Sequence, residues 1–147
     1  MTRHGWVLAF AAALAGCGAG DYRGGFVGNW AGNQTFSVGN TDYIISASFT
    51  VTEAGSRGLT LVGLDACHLT ATAFDPGNFD LDPGQACSFI LPKTPKGNCT
   101  FNNVIAASSG QRSGRSLVLS STGSTSYTCD DGTNTSDIFT DNVTANR

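Results

Sequence analysis

An all-β domain, a small antiparallel β-barrel or β-sandwich of about eight or nine strands, is what this chain of 147 residues predicts, and three observations predict it. Apolar and hydroxylated residues alternate at period two in one segment after another, the spacing of a half-buried strand. Clusters of Gly, Pro, Asn and Asp separate those segments, and each has the backbone freedom to reverse the chain. Strong helix formers are scarce beyond residue 16, with one Glu, two Lys and no Met other than Met1. Strands at close spacing with turns between them make an antiparallel layer or a closed sheet.

Residues 1–16 stand apart from that pattern. Arg3 and His4 precede an apolar run from Trp6 to Leu14, and small residues follow. This is the layout of a cleaved, helical secretory signal peptide. The run is roughly half of the ~20 residues a spanning helix needs. Gly18 to Gly24 then shows no hydrophobic periodicity, so residues 17–24 form an N-terminus and flexible tether and 25–147 a single β domain.

The clearest strand is Tyr43 to Thr52, where Tyr43, Ile45, Ala47, Phe49 and Val51 share one face. Phe26, Gly28, Trp30, Gly32, Phe36 and Val38 share parity across 26–38, with Gln34 the exception. Further strands are expected at 59–64, 67–74, 87–91, 99–106, 116–120, 125–129 and 138–143. Turns are expected at 53–58, 75–78, 82–84, 94–97, 108–114 and 130–132.

Composition excludes several functions. Charged residues make up 13%, against a usual ~25%. The eight Lys plus Arg are scattered singly, which gives no stripe to follow phosphates and no block to hold an anionic membrane surface. Nucleic acid is therefore not an expected partner.

The tetrad Leu14-Ala15-Gly16-Cys17 resembles the lipobox of bacterial lipoproteins. The resemblance implies that Cys17 bears the lipid and becomes the mature N-terminus. Gly18 in place of Asp after the Cys implies the outer membrane, given a Gram-negative host. Two or more acyl chains anchor a protein stably. The other four cysteines, Cys67, Cys87, Cys99 and Cys129, form an even set in an exported chain and imply two disulfides. Three pairings are open; Cys67 with Cys87 and Cys99 with Cys129 close the most local loops.

Candidate chemistry is thin. His68 shares parity with Thr70 and Thr72, the solvated face of its strand, and has no nucleophile or orienting carboxylate within clear reach. Asp75, Asn78, Asp80 and Asp82 offer oxygen ligands, but not in the order of a calcium loop, and such residues cap turns by themselves. Asp130 and Asp131 before Gly132 are similar. No nucleophile elbow, zinc motif or phosphate loop is present. The expectation is no enzyme, no cofactor and no metal.

Phe26 followed by Gly28-Asn29-Trp30 resembles the Gly-x-Trp element that opens lipocalins and related up-and-down barrels, where the Trp closes the barrel bottom. That family pattern also implies an Arg stacked near the Trp, and no Arg is clearly placed for it in the sequence. The expected function is a lipid-anchored cell-envelope module for binding or structure, with an envelope protein as possible partner. Two alternatives stand beside it. One is a lipocalin-like carrier of a small apolar ligand. The other resembles small periplasmic barrels that block proteases with an N-terminal trunk, a part that residues 18–25 would take.

Overall fold

The computed structural model describes residues 21–147, so the lipobox and Cys17 lie outside the described residues. Nine strands form one antiparallel sheet: β1 (Gly28–Val38), β2 (Thr41–Ala54), β3 (Gly58–Val62), β4 (His68–Ala73), β5 (Asn78–Leu81), β6 (Ala86–Thr94), β7 (Gly97–Ser113), β8 (Ser116–Cys129) and β9 (Asn134–Asn146). The order is β5-β4-β3-β2-β1-β9-β8-β7-β6, and β5 also pairs with β7 to close a ring of eight strands.

That closure is confined to one end. β5 meets β7 through Asn78 opposite Gln111 and Phe79 opposite Gly110. Further along β7, residues 97–104 take β6 instead. On the other flank, β3 pairs only with residues 50–54 of β2, so residues 41–48 of β2 have β1 as their sole ladder partner. One end of the molecule is thus a closed ring and the other an open sheet, with the edges of β2 and β6 facing across a gap.

Alternation builds the core as the sequence leads one to expect. Trp30, Phe36, Phe49, Val51, Leu59, Leu61, Leu69, Phe79, Phe101, Leu117, Leu119, Phe139 and Val143 are buried along the inner face. Around Phe36 the rings of Tyr43, Phe89, Phe101 and Phe139 lie with centroids 5.1–6.3 Å away, at edge-on, stacked or tilted angles.

The structure corrects three sequence expectations. Residues 116–120 and 125–129 are one strand, β8, continuous through Ser121–Ser124; a bulge in β7 between Ile105 and Ala107 absorbs the irregularity there. Residues 108–113, expected as a turn, continue β7. Gly110 permits this because a Cβ at that position would lie 2.2 Å from the Phe79 ring. β5 was not expected at all: four residues between two Pro-containing turns hold only Phe79 and Leu81 as an apolar signal.

The disulfides join Cys67 to Cys87 and Cys99 to Cys129. The second links directly opposed residues of β7 and β8. The first ties the residue before β4 to β6 across the gap in the ring.

A groove and a buried carboxylate pair

Between the facing edges of β2 and β6 lies a groove of about 640 Å³, lined by Ile45–Ser48, Gly63, Asp65, Ala66 and Ser88–Pro92. Its walls are mostly apolar, from Ile45, Ala47, Phe89, Leu91 and Pro92. Ile44 and Ile90 stand 78% and 64% exposed on the same two strand segments.

Asp65 reaches this groove through an unusual stretch of backbone. Gly63 has φ +102°, and Asp65 and Ala66 follow with φ +52° and +57°, both left-handed. Two consecutive non-Gly residues in that region carry strain that the surroundings must hold in place. They are held by the Cys67–Cys87 bridge and by hydrogen bonds from Gly63 N to Cys67 O and from Cys67 N to Leu64 O. The effect is to turn one carboxylate inward at the base of the gap.

Behind it lies a second. Asp141 follows the inward parity of Phe139 and Val143 on β9 and is 6% exposed. Gln34, the exception to the apolar pattern of β1, is 1% exposed, and its Nε2 donates to Asp65 Oδ2 at 2.8 Å and to Asp141 Oδ2 at 3.0 Å. One amide group therefore bridges two carboxyls inside the ring. An internal cavity of about 20 Å³ adjoins them, lined in part by Asp65, Asn103, Ser121 and Asp141. Asn103 Oδ1 and Asp141 Oδ1 are buried without a hydrogen-bond partner.

Desolvation dominates the electrostatics. Burial and the neighbouring Asp65 carboxylate push Asp141 up to about 7, and burial raises Asp65 against the opposing hydrogen bond from Gln34. No Lys, Arg or His lines the groove or the cavity among the described residues.

The sequence-expected candidates lie elsewhere. His68 is exposed on β4. Asp75 accepts from Gly77 N and Asn78 Nδ2, and Asp82 accepts from the hydroxyls of Thr70 and Thr72, so these side chains hold turns and strands and do not converge. Asp130 accepts from Asn98 N, and Asp131 from Thr133 N. Sequence reasoning missed Asp141 and the role of Gln34. The available signal was parity, since both break an inward apolar row.

Two further findings alter sequence expectations. Arg147 lies 5.1 Å over the Trp30 ring, where no Arg seemed placed to stack, and Trp30 Nε1 donates to Phe26 O. The fold also gathers cations that are single in sequence: Arg23, Arg57, Arg112, Arg115 and Arg147 all belong to turns and strand ends at the closed end. No family model, no curated protein and no solved structure matches the chain.

Proposed function

We propose that the chain is a lipoprotein of the cell envelope, anchored through acyl groups on Cys17 to the outer membrane of a Gram-negative host. In this reading its β domain is a non-enzymatic binding or structural module. The observation that carries the proposal is Leu14-Ala15-Gly16-Cys17, with a stretch free of hydrophobic periodicity behind it. Lipidation would hold the closed end, with its five Arg, against the headgroups and leave the groove towards the far end.

Two features favour this module over its alternatives. A carrier of apolar ligands needs an interior of some ~300–1,000 Å³. The ring interior, where a lipocalin-like carrier would enclose its ligand, is filled by aromatic and aliphatic side chains, with a cavity of about 20 Å³ beside Asp141; the groove of about 640 Å³ is an open cleft between strand edges and not such an interior. A protease-blocking trunk needs a projecting N-terminal segment. Arg23 is instead tied to Asp21, Glu53 and the Gly55 carbonyl, and Phe26 is packed edge-on to Phe79. The stacked Trp30 and Arg147 keep the lipocalin resemblance alive as a matter of architecture.

Intact mass of the detergent-extracted protein tests the anchor. The expected species begins at an acylated Cys17. A water-soluble product with another first residue would overturn the proposal.

A further inference from the structure

We propose that the groove between β2 and β6 binds a small organic amine, with the Asp65 carboxylate as counter-ion and the groove walls around the ligand's apolar body. The inference rests on the module reading above but not on the anchor.

Four observations lead to it. Asp65 lines both the outer groove and the inner cavity, so its carboxyl sits at the boundary between them. Oδ2 faces inward to Gln34. Oδ1 accepts no hydrogen bond among the described residues, and it is not one of the fully occluded unpartnered atoms. Oδ1 is therefore not fully occluded, on a residue that lines the groove. Second, two carboxyls share this region, and among the described residues no cationic side chain lines either space. Burial drives these carboxyls towards their neutral form, and a positive group on the groove side would pair Asp65 in its charged form instead.

Third, the strained left-handed pair Asp65–Ala66 is clasped by a disulfide, and that arrangement fixes the carboxylate's position. Fixed charge in a partly dry site binds its partner at lower cost in reorganisation. Fourth, the donor set suits an ammonium group and not a metal ion. The Gln34 N–H groups point at the inner carboxylate oxygens and repel a cation from that side. The apolar groove walls offer few of the six to eight oxygen ligands a hard cation requires. An ammonium needs only one or two acceptors and gains from apolar cover on its carbon body. Gln34 and Asp141 act as positioning residues: the first orients Asp65, and the second adds negative potential from behind.

The affinity should depend on pH. Asp65 is the titratable group that lines the ligand position, and Asp141 lies behind it on the inner cavity. Among the described residues the linings from β2, β6 and the 63–66 turn add no others; β7 contributes the neutral Asn103, and Gln34 of β1 bonds both carboxyls. Asp65 is raised by burial, and Asp141, raised to about 7, gains its charge between pH 5 and pH 8, so affinity rises across that window while the amine stays protonated.

The test uses the full chain in detergent and isothermal titration with benzylamine, benzyl alcohol and benzoate, each against a detergent blank. Benzylamine should bind saturably at one site, at least tenfold tighter than the alcohol or the acid. Asp65→Asn keeps a side chain that tolerates the left-handed region and an acceptor for Gln34. It should lower benzylamine affinity at least tenfold, and Asp80→Asn, at an exposed position of β5, should not. If Asp65→Asn fails to fold, Ile45→Trp, which enlarges an inward-facing groove wall and leaves Asp65 intact, should abolish binding. Equal affinity for amine and alcohol would overturn the proposal, as would unchanged binding in the variants, an absent amine signal, or calcium chloride binding while amines are silent. A negative titration on a chain whose mass shows acylated Cys17 overturns the amine assignment and leaves the anchored module standing.

Discussion

The closed and open ends of the ring are made from the same alternating pattern, yet only one of them satisfies its backbone. At the closed end every strand has two neighbours, and the Phe79 ring lies directly on Gly110 where β5 meets β7. At the open end β2 and β6 each have a single neighbour, and a disulfide and a left-handed turn occupy the place of a ladder. The difference comes from strand length. β3, β4 and β5 have five, six and four residues and stop short, whereas β2 and β7 have fourteen and seventeen and run the full height. Three short strands thus convert part of a closed sheet into a groove with unpaired edges, and unpaired edges are where a β protein meets other molecules.

Removing the clasp should give the largest effect. Cys67→Ala with Cys87→Ala frees a loop of 20 positions, and the chain-entropy model gives about 3 kcal/mol of lost stability. Denaturant unfolding measures that loss, and hydrogen exchange should show residues 63–67 opening before the closed end does. Protection lost equally at both ends would erase the contrast drawn here. Gly110→Val comes next. Its Cβ has no room beside Phe79, so the β5–β7 pairing should part at a cost of about 1–3 kcal/mol, with faster exchange confined to the closed end.

The third test concerns the buried carboxyls. Asp141 is raised from 3.8 to about 7 in the folded chain, so between those values the folded state binds more protons than the unfolded one. Stability therefore falls as pH rises through that window and levels off above it. The wild-type protein should melt higher at pH 5 than at pH 8, and Asp141→Asn should flatten that slope and raise the melting temperature at pH 8. The lowered carboxyls Asp21, Asp75 and Asp131 act only at more acidic pH and in the opposite sense. A slope unchanged by Asp141→Asn would assign it to other groups.

Period two made most of the fold legible, because an alternating strand such as β2 shows its buried face one residue at a time. It failed where apolar content was low. β5 offered two apolar residues between turns, and the middle of β8 is Ser, Thr and Gly, which pack by being small. The groove was invisible for a different reason: it depends on which strands stop early, a property of pairing and not of any one segment. The carboxyl pair lay between these cases. Gln34 stood out as the polar member of an inward row, but its partners are 31 and 107 positions away, and only closure brings them together.

That closure also sets an order of events in time. β1 pairs with β9, so Ala31 waits for Asn146 before the ring has its last seam on that side. Contacts of such long range form slowly, because most of the chain must already be arranged when they are made. A chain emerging from its N-terminus would hold β1 with one bare edge until the final strand arrived. The carboxyls of Asp65 and Asp141 would meet only at that moment, so the last strand to appear both closes the ring and completes the buried cluster.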